Sequence, residues 1–291
     1  MILQLGAQHS FDITHRSVVM GILNRTPDSF FDQGSYFEFD AFLAKADGLV
    51  TAGADFLDVG GVKAGPGPDV STQEELHRVI PAIEALVDRF GVPVSIDTWN
   101  TTVLEAALRA GAVIGNDISG FADPAYLQIC ARYQAAVVAT HIRLGPRIPD
   151  PEPIYEDVTV DVRTFLAERA QRALDAGIPR ERIMVDDGLD LGKTEPQSLA
   201  LLRSSDQLAA LGFPTFLSAS NKRFLGRLIG TDVTDRREAT LAAHALGIGL
   251  GCRVLRSHDV ASSRRVADTM AAILEARDLS VIGAAAAGST T

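Results

Sequence analysis

A single-domain α/β TIM barrel, (β/α)₈, is the fold class this sequence predicts, and three observations predict it. Eight short β-branched runs alternate with eight Ala/Leu/Glu/Arg-rich stretches of helical period. The runs are apolar on both faces, as strands of a buried parallel sheet must be. No glycine-rich dinucleotide loop follows the first run, which counts against the competing arrangement, an open doubly wound sheet.

The strands are expected at 18–23 (VVMGIL), 56–60 (FLDVG), 93–97 (PVSID), 113–117 (VIGND), 136–140 (AVVAT), 183–187 (IMVDD), 215–220 (TFLSAS) and 253–258 (RVLRSH). Helices are expected near 40–52, 72–89, 100–110, 124–133, 159–176, 197–210, 234–250 and 260–276. Ser71-Thr72 followed by Glu74-Glu75 spells a capping box. Gly53, Gly91, Gly111, Gly177 and Gly212 stand just past helix ends, where a left-handed residue is favoured. Residues 1–13 read as a hairpin closing the barrel floor, 14–278 as the barrel and 279–291 as a flexible tail.

Composition narrows the function classes. Hydrophobic residues are 46% of the chain, enough for a large core, yet no window holds eighteen unbroken apolar residues, so no membrane span is expected. The N-terminus lacks a basic-then-apolar leader. Cys130 and Cys252 have no metal-like spacing and read as buried free thiols of a reducing, cytoplasmic compartment. A net charge of −10 without a basic run argues against a nucleic-acid surface.

A barrel carries its chemistry at the C-terminal ends of its strands. Those positions hold Asn24, Gly60-Gly61 with Lys63 beyond, Asp97, Asn116-Asp117, Thr140-His141, Asp186-Asp187, Ser220-Asn221-Lys222, and Arg256 with His258. Solvation of strand ends explains one or two such groups, and a shared polar pocket explains the set. Asp97, Asn116 and Asp186 suit the donor–acceptor edge of a flat heterocycle such as a pterin. Lys222, Arg256 and His258, with Lys63 and Arg25 on the first two loops, suit phosphate or pyrophosphate. Asn24 is an oxygen ligand suited to a phosphate-bound Mg²⁺. The first loop, beginning at Asn24-Arg25, reads as a cover for an anionic leaving group.

Blander roles compete at several positions. Asp117 reads equally as a cap for the helix that follows. Asp187 and Asp190 read as turn residues, His141 as a satisfied core histidine, and Arg143 and Arg147 as solvated surface. No zinc spacing, activated serine or P-loop spelling is present.

The stretches "MGILNRTPDSFFDQG", "GADFLDVGG", "VPVSIDTWN…ALRAGAVIGNDISG", "GLDLGKTEPQSLALLR" and "LRSHDVASSRR" resemble the dihydropteroate synthase family, in order and over most of the chain. The resemblance implies a TIM barrel, a homodimer, and condensation of 6-hydroxymethyl-7,8-dihydropterin pyrophosphate with an amine such as 4-aminobenzoate, releasing pyrophosphate. It assigns the pterin to Asp97, Asn116, Asp186 and Lys222, Mg²⁺-pyrophosphate to Asn24, and pyrophosphate to Arg256 and His258. Catalysis then falls to Lys222, Arg256 and His258.

The departures concern the acceptor. The family's Glu-Ser-Thr-Arg-Pro-Gly is Val62-Lys63-Ala64-Gly65-Pro66-Gly67 here, so a hydroxyl and a guanidinium become Ala64 and Gly65. The usual Ser-Arg-Lys is Ser220-Asn221-Lys222, Asp-Pro-Gly is Asp186-Asp187-Gly188, and Arg25 stands where valine is common. "GGVKAGPG" and "SNK" are similar to the divergent second homologue of some actinobacteria, a subgroup regarded as lacking ordinary synthase activity. Three readings follow: a transferase with an altered acceptor site, an inactive pterin-binding paralogue, or a methyltetrahydrofolate-dependent methyltransferase, which would need no pyrophosphate clamp.

Overall fold

The computed structural model describes residues 1–25 and 35–288 of the chain. Two short strands come first, β1 (Ile2–Leu5) and β2 (His9–Asp12), paired antiparallel. The barrel strands are β3 (Val18–Asn24), β4 (Phe56–Gly60), β5 (Val94–Asp97), β6 (Ile114–Asp117), β7 (Ala136–Thr140), β8 (Ile183–Asp186), β9 (Thr215–Leu217) and β10 (Val254–Ser257). Each pairs in parallel with the next, and β10 closes on β3. The expected eight-stranded closed barrel is therefore the fold.

Ten helices are present among the described residues: α1 (Ser35–Thr51), α2 (Thr72–Arg89), α3 (Thr101–Arg109), α4 (Ala125–Arg132), α5 (Val158–Asp175), α6 (Glu195–Arg203), α7 (Ser205–Ala209), α8 (Arg223–Ile229), α9 (Arg237–Gly249) and α10 (Val260–Gly288). The helix expected at 197–210 is broken at Ser204, and α8 is an extra helix of about two turns that the periodicity did not single out. The last helix continues past 276 to Gly288, through an alanine-rich stretch of high helix propensity.

Local chemistry explains the boundaries. Ser71 caps α2 by accepting the Glu74 N–H at 3.2 Å. Asn100 and Asp157 cap α3 and α5 in the same way, and Thr194 with Gln197 forms a full capping box on α6. Gly53, Gly111, Gly177 and Gly212 are left-handed as their positions require, whereas α2 ends at an extended Phe90 and Gly91 stays out of that region.

Two cores result. One lies between the outer faces of the strands and the helices, where Leu57, Val59, Ile96 and Val137 meet Ile83, Leu104 and Leu166. The other fills the barrel itself. Met20, Phe56, Ile114, Val138, Met184, Phe216 and Val254 pack inside it, with Leu3, Leu5 and Ile13 of the N-terminal hairpin entering from below. Each such side chain removed from water stabilises the fold by about 1.5–3 kcal/mol. The floor is thus sealed with hydrocarbon, and only the opposite end is free for polar groups.

Candidate active site

Inside a strand, every second residue points the same way. Two positions beyond the apolar floor layer, the inward residues change character. Phe56 is followed by Asp58, Ile114 by Asn116, Val138 by Thr140, Met184 by Asp186, Phe216 by Ser218 and Val254 by Arg256. One further step on β3, past Ile22, gives Asn24, and Asn24, Gly60, Asp97 and Asn116 are successive register partners on one row. The polar layer is therefore set by register.

Arg256 is its centre. Its Nε donates to Asp58 Oδ2 at 2.7 Å and its Nη2 to Asp97 Oδ2 at 2.9 Å. Asn116 Nδ2 donates to the two Asp58 oxygens at 3.4 and 3.3 Å. Burial opposes the Arg256 charge, but Asp58 and Asp97 outweigh it and hold the guanidinium above its ordinary pKa. One cation shared by two carboxylates leaves Asp97 under-compensated. Burial, reinforced by Asp58, pushes Asp97 from an ordinary 3.8 to about 7 despite Arg256. Asp58 was absent from the residues singled out above. It sits mid-strand, and its signal is an acid in an otherwise apolar FLDVG, in phase with Phe56 and Gly60.

On the other side of the mouth, Asp186 Oδ1 accepts the Gly188 N–H at 2.8 Å. Burial raises its pKa, opposed by that bond and by Lys222, while Lys222 is itself lowered by burial against the pull of Asp186. Gly188 is left-handed, and a Cβ there would fall 2.1 Å from the His141 carbonyl oxygen, so the turn admits only glycine. His258 stands at the rim with its ring Nδ1 3.1 Å from Ser220 Oγ, which in turn accepts the His258 N–H.

Asn24 ends β3 beside Gly60, where a Cβ would stand 3.5 Å from both Asn24 Oδ1 and Asp97 Oδ2. These are hard oxygens at the rim, and no cluster of three metal-binding side chains occurs among the described residues. The donor set fits a divalent ion held mainly by phosphate and water, with the Asn24 amide as one ligand. Arg25 turns toward the helices: its guanidinium lies 5.3 Å from the Phe42 ring centroid and its Nε donates to the Arg78 carbonyl at 3.4 Å. Lys63 is exposed on the β4–α2 loop. Residues 26–34 of the first loop lie outside the described residues.

The residues given blander readings separate into distinct roles. Asp117 braces its own turn, accepting from Ser119 N at 2.7 Å and Phe121 N at 2.9 Å. His141 is a core histidine, edge-on to Phe165 with centroids 4.8 Å apart and its Nδ1 3.0 Å from Lys193 Nζ. Burial and then Lys193 push it down to about 3, so it is neutral and accepts that bond. Lys193, missed because it lies seven residues past β8, reaches back to the Gly188 carbonyl at 2.9 Å and the Leu191 carbonyl at 3.0 Å. Asp187 is buried, with Oδ1 unpartnered. Burial and Asp186 raise its pKa, so it does not merely solvate a turn.

Three positions that depart from the family spelling meet in one place. Ala64 and Gly65, with Asn221 and Lys222, line a cavity of about 520 Å³ beside the mouth. Its other walls are the β7–α5 and β8–α6 loops, including Leu144, Ile148, Asp150, Asp190 and Leu191. Arg147 joins two of these walls: its N–H donates to the Ala64 carbonyl at 3.0 Å and its guanidinium to the Gly67 and Pro68 carbonyls. Arg143 Nε holds Asp150 Oδ2 at 2.7 Å. Neither arginine is simply solvated. Asp190 Oδ2 accepts the backbone N–H groups of Arg223 at 2.5 Å and Phe224 at 3.3 Å.

Comparison with known proteins gives a consistent result. A family model described as pterin binding enzyme matches residues 20–258. A Mycobacterium leprae protein described as inactive dihydropteroate synthase 2 is 41% identical over 266 residues, spanning 89% of this chain and 91% of its own. The Bacillus subtilis dihydropteroate synthase is 38% identical over 283 residues, 92% of this chain and 97% of its own. The Xanthomonas albilineans dihydropteroate synthase solved with 4-aminobenzoic acid superposes with a TM-score of 0.86 at 37% identity, covering 94% of this chain and 98% of that one. Fold and sequence agree, and the chain belongs to the dihydropteroate synthase family of pterin-binding enzymes.

Proposed function

We propose that the barrel mouth binds 6-hydroxymethyl-7,8-dihydropterin pyrophosphate with Mg²⁺ and transfers its pterin methylene to an amine, with condensation onto 4-aminobenzoate much reduced. The observation that carries this reading is the contrast between two neighbours. Asp58, Asp97, Asn116 and Arg256 are joined by hydrogen bonds and ion pairs in one polar layer with Asp186 across the mouth, and the adjoining cavity is lined by Ala64, Gly65 and Asn221.

In this reading Asp97, Asn116, Asp186 and Lys222 hold the ring edge, and Arg256, His258 and Asn24 hold the pyrophosphate, with Arg25 and Lys63 on the flanking loops. Mg²⁺ supplies charge neutralisation of the pyrophosphate when bound. The methylene–oxygen bond breaks, and the electron pair leaves with pyrophosphate. Asp97 and Asp186 stabilise the positive charge left on the ring, and the amine nitrogen then bonds to the methylene and loses a proton. The side chains position reactants and stabilise charge, which suits a layer preorganised by ion pairs. A charged hydrogen bond is worth about 1.5–3 kcal/mol, so losing the family's second-loop and strand-end arginines removes decades of rate with 4-aminobenzoate. A homodimer in a reducing cytoplasm belongs to the same proposal.

A second reading, pterin binding without turnover, is favoured by the description of the mycobacterial relatives as inactive. Calorimetry with the pterin pyrophosphate and Mg²⁺, followed by pyrophosphate release over a panel of amines, separates the two. Tight binding with release for some amine supports the transferase, and binding with no release supports the second reading. Absence of binding removes both. Asp186→Asn weakens pterin binding by about 1.5–3 kcal/mol if the ring edge sits where proposed.

A further inference from the structure

The cavity beside the mouth has a balanced charge inventory. Asp150 and Asp190 line it together with Lys222 and Arg223. Asp150 is already held by Arg143, and Lys222 is drawn toward Asp186 and Asp190. The two backbone N–H groups that the β9–α8 junction presents to Asp190 are occupied by its carboxylate. An acceptor carboxylate entering here finds those donors taken and the Asp190 carboxylate on the wall, and the cation left to answer it is Arg223, whose side chain is exposed.

Asp190 has φ +65°, a left-handed conformation that glycine adopts freely and that aspartate and asparagine adopt more readily than other side chains. The loop places a carboxylate at this position, and that carboxylate is spent on the cavity wall. The remaining lining, including Pro66, Leu144, Ile148 and Leu191, is apolar and accommodates an aryl or alkyl body. At Gly65, where a guanidinium could answer a carboxylate, a built Cβ meets nothing within 4 Å.

We propose that Asp190 is a specificity-determining residue that bars carboxylated amines from this cavity and selects an uncharged amine acceptor. The inference rests on reading the cavity as the acceptor site of the proposed transferase. It is tested on the full chain loaded with the pterin pyrophosphate and Mg²⁺. Loading is verified first by calorimetry, so that failure to bind pterin is recognised as failure of the function itself. The probes are 4-aminobenzoate and its neutral isostere 4-aminobenzamide. Their relative affinity is read by competition in the loaded protein, and as relative kcat/KM wherever pyrophosphate is released.

The native chain favours the amide by about tenfold or more, the scale of one charge-assisted hydrogen bond. Asp190→Gly, which suits the left-handed backbone and frees both N–H groups, moves the ratio toward the carboxylate by about tenfold. Asp190→Asn keeps the N–H groups occupied but removes the charge, and moves it by a smaller factor in the same direction. The proposal is overturned if the native chain prefers 4-aminobenzoate. It is equally overturned if the ratio is the same in all three proteins while pterin binding is intact.

Discussion

At the scale of single residues, the mouth is governed by a shortage of positive charge. Arg256 serves both Asp58 and Asp97, and burial, with Asp58 beside it, outweighs that shared cation and pushes Asp97 up to about 7. The sign of the pH effect follows. Between the ordinary 3.8 and about 7 the folded chain holds a proton on Asp97 that the unfolded chain has released. This group's contribution to stability therefore declines as pH rises through that window and is spent above it. Affinity for a ring that donates N–H groups moves oppositely, because only the ionised carboxylate accepts two such bonds. Pterin affinity rises with pH through about 7 and levels off, and Asp97→Asn flattens the step; calorimetry across about pH 5 to 9 measures both. Asp58 shows why part of this layer escaped sequence reading. Attention to strand ends finds Asp97 and Asp186, but Asp58 lies two residues before the end of β4, and only the inward phase of the strand reveals it. Lys193 escaped for another reason: a long side chain acts far from its own backbone, and sequence position does not report where an ammonium arrives.

At the scale of elements, strand–helix alternation was legible because a parallel sheet buried on both faces must spell continuous apolar runs between amphipathic helices. Phe56–Gly60, Ala136–Thr140 and Thr72–Arg89 fall where the pattern placed them. The short α8 was not legible, since seven residues are too few for a periodic signal. One element is fastened by charge. Arg264 of α10 donates to Asp55 at 2.9 Å and to the Ser17 carbonyl at 2.8 Å, while Asp55 accepts the Val19 N–H at 2.7 Å. Arg264→Ala leaves the part-buried Asp55 carboxylate with Arg16, 3.3 Å away, as its remaining cation and lowers stability by about 1–3 kcal/mol, read from the urea midpoint at unchanged m-value. The acceptor loops give a gain-of-function test. Gly65→Arg with Asn221→Arg restores two planar cations to one cavity and raises pyrophosphate release with 4-aminobenzoate by about one to two decades. An unchanged rate with the fold intact would sink this account of the altered acceptor site.

At the scale of the whole molecule, floor and mouth are separate compartments of one barrel. Leu3, Leu5 and Ile13 seal one end, and charge lines the other. Leu5→Ala opens a void in the floor and costs about 2–5 kcal/mol of stability, while the folded fraction keeps its pterin affinity. Thermal melting paired with calorimetry distinguishes that result from coupling between the ends. Arg147 has a mechanical consequence. By bonding the Ala64, Gly67 and Pro68 carbonyls it clasps the second and fifth strand-to-helix connections into one flap. The width of the adjoining space is then an intrinsic dimension of the chain, so a tight-binding compound should be shaped to a preset gap instead of relying on a guest to draw the walls together.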